Sequence, residues 1–435
     1  MTTRPSFAFR SPLFLGFVLV LVMAVVPDLD AQTYTVLHSF TGGPDGGVPE
    51  AGLTMDRSGN LYGTTFVGGA GYGVVFKLAH GNAGWVSTSI YTFRGSGSGD
   101  GAGPSARVVF GLDGALYGTT TAGGVGSCTD GQSGCGTVFR LTPPATVCRT
   151  ALCPWDETIL YRFTGGSDGG VPYASVVFDQ AGNLYGTTSQ GANGGVVYEL
   201  SRSGSGWVET VLYSFSGQSD GGIAPHAEVT FGPLGNIYGT TYGGGSYGYG
   251  TVYQLVHSAS GWTGSTIYSI PDMDGFGDEV LAGVIFDHAG NLYGGTGGNV
   301  FAGCGRLLEV SPSGSGWNGQ VLYEFPCVTG YGVGPFASFL LTSDGNLLGT
   351  TTGDGNDDCN AGYGCGTVFE AVHGADGSWN NVNLYEFNAG SGGIFPLSNV
   401  TVDSAGNLYG TASASGLTQN GCGGDGCGVV WELTP

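Results

Sequence analysis

Short apolar runs recur along the chain beyond residue 33, separated by polar, glycine-rich stretches. Residues 174–179, 183–188, 195–200 and 211–215 form one representative set of four runs. These runs are rich in β-branched and aromatic residues and are bounded by Gly, Pro, Asn or Asp, as β-strands are. No later stretch keeps a helical period over three turns. The pattern therefore predicts units of four short β-strands.

The second run of each unit is Asn-Leu-Tyr-Gly-Thr-Thr or a variant, and it occurs seven times with an underlying period of about 54 residues. Seven tandem copies of four antiparallel strands are typical of a β-propeller, whose neighbouring sheets bury each other's apolar faces. We therefore predict an all-β fold, a seven-bladed β-propeller of four-stranded antiparallel blades. An open β-solenoid is the alternative, although its repeats are usually shorter. The central residues of the motif are Tyr62, Tyr117, Tyr185, Tyr238, Tyr293, Leu348 and Tyr409.

The ends of the repeat region indicate how the ring closes within a single domain of residues 34–435. Residues 34–40 resemble a fourth run, whereas residues 428–433 resemble a third run. If the fourth run is outermost, the N-terminal strand joins the last blade and closes the ring. Blades that are each self-contained are the alternative. Small residues at the start of the first run suit a crowded axis and favour closure by the N-terminal strand: Ala51, Ser105, Ala106, Ala174, Ala227 and Ala337.

Residues 1–31 differ from the rest of the chain. Arg4 and Arg10 precede an uncharged apolar run over residues 13–26, and Ala31 is a small residue suited to cleavage. This run is shorter than the roughly 20 residues of a membrane span, so we predict a signal peptide. An uncleaved membrane anchor is the alternative. We expect an exported protein, either extracellular or periplasmic.

The net charge of the chain limits the classes of partner that it can bind. The formal net charge is -22, and Lys77 is the only lysine. Such a surface repels phosphate backbones and anionic lipid heads, so we predict no nucleic-acid partner and no membrane contact after signal cleavage. A charged ligand is expected to be cationic. We expect a monomer with a glycan or protein partner.

The ten cysteines all follow the leader, and their even number is typical of an oxidising compartment. The close pairs lack the two-residue spacing of zinc ribbons and redox motifs, so we predict four local disulfides. A fifth, between Cys304 and Cys327, would join the start of one strand to the end of the next. The close pairs are Cys128/Cys135, Cys148/Cys153, Cys359/Cys365 and Cys422/Cys427.

Seven ordered copies of Asn-Leu-Tyr-Gly-Thr-Thr or its variants, with segments similar to Gly-Thr-Val-Phe-x-Leu between them, resemble the GloVer tandem-repeat family over residues 34–433. The resemblance implies an exported bacterial protein with a repeat fold. Members of that family often end in a surface-anchoring signal, whereas this chain ends at a strand. The resemblance implies no catalytic residues.

The loops after the second and fourth runs share one face of a propeller, and they are the long, variable ones. We therefore expect any ligand on this loop face, near the axis. Successive copies place an aspartate in equivalent loops, either to form an Asp-Gly turn or to contribute to a ring of carboxylates that attracts a cation or sugar hydroxyls. The predicted ligand-binding aspartates are Asp45, Asp100, Asp168 and Asp220.

Two denser acidic clusters are candidates for Ca²⁺, the only cofactor that the sequence suggests. Alternating oxygen-bearing residues separated by Gly suit a hard cation, although solvated turns are the favoured interpretation of both clusters. The predicted metal-binding residues are Asp272, Asp274, Asp278, Asp354, Asn356 and Asp358.

No catalytic residue is predicted. Ser167 and Ser219 fit Gly-x-Ser-x-Gly, but a strand follows each of them where a nucleophile elbow needs a helix. The function predicted is therefore a non-enzymatic exported propeller that binds a glycan or protein, or has a structural role. The alternative is a polysaccharide lyase or glycosidase that uses loop carboxylates. The hairpin tryptophans are interpreted as structural plugs: Trp85, Trp207, Trp262, Trp317 and Trp379.

Overall fold

The computed structural model describes most of the chain beyond the leader. The described residues are 32–82, 84–128, 133–145, 154–217, 221–271, 278–280, 282–298, 305–325, 334–353, 355, 359, 364–388, 390–414, 422 and 426–435.

The first strand is β1 (Thr33–Ser39), which belongs to the last blade. Blade 1 contains β2 (Thr54–Met55), β3 (Leu61–Thr65), β4 (Val74–Gly81) and β5 (Gly84–Thr92). Strand β6 (Gly101–Ala102) precedes blade 2, which contains β7 (Val109–Phe110), β8 (Leu116–Thr120), β10 (Thr137–Thr142) and β11 (Asp156–Arg162), while β9 (Ala122–Gly123) pairs with β6. Blade 3 contains β12 (Val177–Phe178), β13 (Leu184–Thr188), β14 (Val196–Ser203) and β15 (Gly206–Ser214).

The second half of the ring repeats this order. Strand β16 (Gly222–Ile223) precedes blade 4, which contains β17 (Thr230–Phe231), β18 (Ile237–Thr241), β20 (Thr251–Ser258) and β21 (Gly261–Ser269), while β19 (Gly243–Gly244) pairs with β16. Strand β22 (Asp278–Glu279) pairs with the end of β24 in blade 5, which contains β23 (Ile285–Phe286), β24 (Leu292–Gly298), β25 (Arg306–Ser313) and β26 (Gly316–Glu324). Blade 6 contains β27 (Leu340–Leu341), β28 (Leu347–Thr351), β29 (Thr367–His373) and β30 (Trp379–Glu386). Blade 7 contains β31 (Thr401–Val402), β32 (Leu408–Ala412) and β33 (Val429–Thr434), with β1 outside them. Two single 3-10 turns occur at Ser96–Ser98 and Pro233–Gly235.

These sheets form the predicted seven-bladed β-propeller, and each strand within a blade pairs antiparallel with its neighbour. The N-terminal strand β1 pairs with β33 from Thr33 opposite Thr434 to Ser39 opposite Val429. This pairing confirms the predicted closure, in which the two ends of the repeat region complete one blade.

The Gly-Thr-Thr part of the repeated motif explains how neighbouring blades are held together. In six copies its glycine faces an aromatic ring on the next strand of the blade; a Cβ on Gly63 would lie only 2.5 Å from Cζ of Phe76, so no larger residue fits there. The threonine that follows donates a hydrogen bond to a carbonyl at the start of the next blade. These bonds run from Thr64 to Ala106, Thr119 to Ala174, Thr187 to Ala227, Thr240 to Ala282, Thr350 to Ser398 and Thr411 to Ala51.

The turn after the first strand of each blade uses an aspartate to fix the motif that follows. Asp56 accepts hydrogen bonds from the amides of Ser58 and Asn60 and from the hydroxyl of Tyr62. Partial burial raises the pKa of Asp56, but these hydrogen bonds outweigh it and hold the pKa below its usual value. Asp179, Asp287 and Asp403 repeat the arrangement.

The hairpin tryptophans pack against the motif tyrosine of the preceding blade, as expected of structural plugs. Trp85 lies 6.3 Å from Tyr409 between ring centroids, and Trp317 lies 5.8 Å from Tyr238. Trp155 makes the same contact with Tyr62 at 6.0 Å, although it does not follow the Gly-Trp pattern of the other hairpins.

Three of the predicted disulfides are formed, namely Cys128–Cys135, Cys359–Cys365 and Cys422–Cys427. The predicted pairs Cys148/Cys153 and Cys304/Cys327 lie outside the described residues. In the part of the chain that the structure describes, no helix has the length and apolar character needed to cross a bilayer.

Candidate functional site

The innermost strands surround an axial cavity of about 120 Å³, and one to three residues of each repeat, just before the innermost strand, form its wall. The middle residue is Ala or Ser in the lining of six blades, because the ring is narrow there. The residues on either side of it differ from blade to blade. Those before the small residue include Glu50, Ser105, Tyr173, Phe336 and Leu397, and those after it are Gly52, Arg107, Ser175, Glu228, Gly283, Ser338 and Asn399.

An ion pair lies across one side of this cavity. Nη2 of Arg107 in blade 2 lies 3.0 Å from Oε2 of Glu228 in blade 4, and Ser175 of blade 3 donates to the same oxygen at 2.8 Å. Both charged side chains are partly exposed, at 31% and 22%. The charges of Arg107 and Glu228 therefore compensate each other.

A second side of the cavity has an acid with no counter-charge. Burial raises the pKa of Glu50 to about 7. Among the described residues, no side chain donates a hydrogen bond to its carboxyl group. Oγ of Ser105 in the next blade is also buried and has no hydrogen-bond partner. The carboxyl group of Glu50 is thus protonated to a substantial extent at neutral pH.

Asn399 of blade 7 reaches across to blade 1. A Cβ atom on Gly52 would overlap Oδ1 of Asn399, so the glycine makes room for this carboxamide. Ser338 of blade 6 instead accepts a hydrogen bond from the amide of Gly283 at 3.1 Å. Among the described residues, Glu50, Ser105 and Asn399 therefore present polar atoms without partners to the cavity, whereas Arg107, Ser175 and Glu228 bond to one another and Ser338 bonds to Gly283.

The structure describes three of the four predicted ligand-binding aspartates, and each one bonds to its own loop and the outermost strand. Asp100 is 6% exposed and accepts from the hydroxyl of Tyr91 and the amide of Arg94, both at 2.9 Å. Asp168 accepts from the hydroxyl of Tyr161 at 3.1 Å. Asp45 lies 3.3 Å from Nε2 of His38. These carboxylates stabilise turns, and the axial residues are not among their hydrogen-bond partners.

Two of these aspartates lie near a glutamate of the next blade. Burial, with a contribution from Asp100, raises the pKa of Glu157 to about 7. Burial, with a contribution from Asp168, likewise raises the pKa of Glu209 to about 7. Asp45 and Glu157 both line an open cleft of about 960 Å³ beside the outermost strands of blades 1 and 2.

The predicted metal-binding residues are mostly not described. Asp278 lies in β22, whereas Asp220 of the aspartate set and the other five metal candidates fall in segments outside the description. Within the described segments, no group of three or more His, Cys, Asp or Glu side chains is arranged to hold a metal ion. The predicted site residues that lie outside the described segments are Asp220, Asp272, Asp274, Asp354, Asn356 and Asp358.

Sequence reasoning identified the small axial residues but missed their polar neighbours. Ala51, Ala106 and Ala227 do line the cavity, as predicted, yet Glu50, Arg107 and Glu228 beside them were not singled out. Alignment of the seven copies on that small residue could have found them, because the flanking positions vary while the rest of the strand repeats.

A family model described as the Gloeobacter/Verrucomicrobia repeat matches residues 24–152 and 127–361. No curated protein sequence matches the chain.

Solved structures resemble the chain at low sequence identity. An extracellular domain described as part of a one-component system from B. thetaiotaomicron matches with a TM-score of 0.53 and 12% identity. That match covers 92% of this chain and 40% of the other. A structure from Bacteroides uniformis described as a 6-phosphogluconolactonase matches with a TM-score of 0.45 and 16% identity, covering 77% of this chain and 85% of the other. At such identities only the fold is informative.

Proposed function

The chain belongs to the Gloeobacter/Verrucomicrobia repeat family, and we propose that it is an exported, non-enzymatic propeller that binds a ligand at the axial cavity, on the loop face. A single observation carries this proposal. Residues that hold the blades together repeat around the ring, whereas the side chains on either side of the small axial residue in the cavity wall do not repeat. A purely structural propeller needs only the repeating residues between blades. The variable side chains in the cavity wall therefore indicate a binding site.

The ion pair of Arg107 and Glu228 supports a binding role. It joins blades 2 and 4 across the cavity, and its two side chains remain partly exposed, at 31% and 22%. A ligand that covers the pair would exclude water and strengthen every polar contact to it. The cavity has the volume of about four water molecules at roughly 30 Å³ each, so it accommodates one end of a larger ligand.

Export is supported by the three disulfides, because such bonds persist mainly in oxidising compartments. All three lie in loops after the second strand of a blade and brace the face on which the ligand is proposed to bind. The predicted signal sequence in residues 1–31 agrees with the same localisation.

A binding screen tests the proposal. Purified residues 32–435 are applied to an array of glycans and peptides, and each hit is titrated against two matched variants. Arg107→Met removes the axial ion pair, whereas Arg140→Met removes the pair with Asp113, whose side chains have a similar exposure of 28% and 33%. We expect Arg107→Met to weaken binding about tenfold or more, since charged hydrogen bonds contribute about 1.5–3 kcal/mol.

Arg140→Met is expected to leave affinity unchanged, because Asp113 lies in the turn after the first strand of its blade. Thermal melting of both variants checks that each one folds. If both variants lost affinity equally, or if neither substitution changed the affinity of any ligand found, the ligand would bind elsewhere on the protein.

A glycosidase is the second candidate, and one observation favours it. Glu50, with a pKa of about 7, and the ion-paired Glu228 line one cavity, which resembles the acid and carboxylate roles of glycoside hydrolysis. Turnover of a polysaccharide that Glu50→Gln abolishes while binding persists would establish this alternative. Binding without turnover across the same substrates would exclude it.

A further inference from the structure

The axial cavity contains three polar groups whose hydrogen-bonding capacity the described protein does not use. The carboxyl group of Glu50, Oγ of Ser105 and the carboxamide of Asn399 come from blades 1, 2 and 7, which are neighbours around the ring. Oγ of Ser105 is buried without a hydrogen-bond partner. Such groups are costly to bury unless something satisfies them.

These groups are of one kind, because each can accept a hydrogen bond. A carboxylate is an acceptor, a hydroxyl oxygen carries acceptor lone pairs, and Oδ1 of Asn399 is held against Gly52. Arg107, the only cationic side chain among the described residues that line the cavity, is paired with Glu228 at 3.0 Å. Among the described lining residues, the carboxyl group of Glu50 therefore has no cationic partner.

The size of the cavity and its number of acceptors indicate which kind of cation would fit. A primary ammonium group has three N–H donors, which matches three acceptors. A hard ion such as Ca²⁺ takes six to eight oxygen ligands, more than this side of the cavity offers. The cavity volume of about 120 Å³ admits an ammonium group on an alkyl chain.

We propose that the axial cavity binds a primary ammonium group at the end of an alkyl chain, with the Glu50 carboxylate as its counter-ion and Ser105 and Asn399 as further acceptors. This inference rests on the proposed binding function and specifies the ligand's chemistry. A lysine side chain of a partner and a free alkyl diamine carry the same group. The strongly acidic chain, with a net charge of -22, would also attract such cations from a distance.

Binding of the ammonium group should then be coupled to release of a proton from Glu50. The charged groups that line the cavity are Glu50, Arg107 and Glu228, with the phenol of Tyr173 beside them. Burial holds the pKa of Glu50 near 7, so the ammonium group must displace a proton from a fraction of the molecules at neutral pH. Affinity should rise as the pH increases from 5 to 8, while a primary amine remains charged.

Isothermal titration of residues 32–435 with Nα-acetyl-lysine methylamide tests this inference. The Nε-acetyl form of the probe removes the charge, and the Nε-trimethyl form keeps the charge but removes all three donors. We expect binding of the unmodified probe and at least tenfold weaker binding of both modified forms. Putrescine, titrated in parallel, distinguishes a free diamine from a lysine side chain as the preferred source.

Two variants locate the site. Glu50→Gln keeps the shape of the side chain but removes the charge, and we expect it to lower affinity about tenfold to a hundredfold and to abolish the pH dependence. Asp344→Asn removes one charge from an exposed turn and should change neither. Titration in buffers of different ionisation enthalpy should show proton release by the wild type at pH 7 and none by Glu50→Gln.

The inference is overturned if the probe does not bind, if the trimethyl form binds as well as the unmodified one, or if Glu50→Gln retains full affinity. The proposed function fails in a different way. If ligands found on the array still lose affinity in Arg107→Met while no ammonium probe binds, the axial site stands and only its assigned chemistry is wrong.

Discussion

Tyr198→Phe should stabilise this protein, although most substitutions of buried residues do the opposite. The Tyr198 side chain is fully buried between blades, and its ring packs against Phe163 with centroids 5.1 Å apart. Its hydroxyl group lies over Gly186 and has no hydrogen-bond partner among the described residues. Three other blades place phenylalanine opposite the motif glycine, at Phe76, Phe139 and Phe369.

The magnitude follows from the unpaired hydroxyl group. A buried polar group without a partner costs about 1–3 kcal/mol. Phenylalanine preserves the ring and its contacts, and the small void left over Gly186 offsets part of the gain. We therefore expect the free energy of unfolding to rise by about 1–2 kcal/mol, with a further similar gain from Tyr253→Phe, whose hydroxyl group is in the same situation.

Urea unfolding followed by tryptophan fluorescence measures the change, read as a shift of the midpoint at constant slope. Tyr117→Phe is the matched control, because the hydroxyl group of Tyr117 donates to Asp113 at 2.9 Å and its loss should destabilise by about 1–2 kcal/mol. If Tyr198→Phe destabilised the protein as much as Tyr117→Phe does, the Tyr198 hydroxyl group would have to be hydrogen-bonded, and the reasoning would be refuted.

Two further predictions concern blade contacts and pH. Thr187→Val removes a buried hydrogen bond between blades 3 and 4 and should lower the free energy of unfolding by about 1–2 kcal/mol, whereas Thr210→Val on the exposed face of β15 should change it by less than about 0.5 kcal/mol. Glu157 and Glu209 have pKa values raised from 4.5 to about 7, so the folded state binds more protons and stability should fall as the pH rises from about 4.5 to 7. Replacing both glutamates with glutamine should reduce that fall and stabilise the protein at pH 8 in thermal melts, and an unchanged pH profile would contradict these pKa values.

Much of the fold could be predicted from the sequence because the propeller is a repeat. Each copy encodes its own strands and turns, so seven copies of one motif determine seven similar sheets without knowledge of long-range contacts. The unmatched runs at the two ends also favoured closure by the N-terminal strand, and the pairing of β1 with β33 confirms it. Cysteine spacing similarly identified the local Cys128–Cys135, Cys359–Cys365 and Cys422–Cys427 bonds.

The candidate site was decided by the tertiary structure. Arg107 and Glu228 are 121 residues apart, and only the curvature of the ring brings them together across the axis. The same holds for Asn399 and Gly52, which become neighbours when the ring closes. The sequence alone pointed to the loop aspartates as binding residues, because clusters of charged residues can be recognised along a chain. Burial and the lack of a partner, which set Glu50 apart, are properties of the assembled ring and are not encoded in any one repeat.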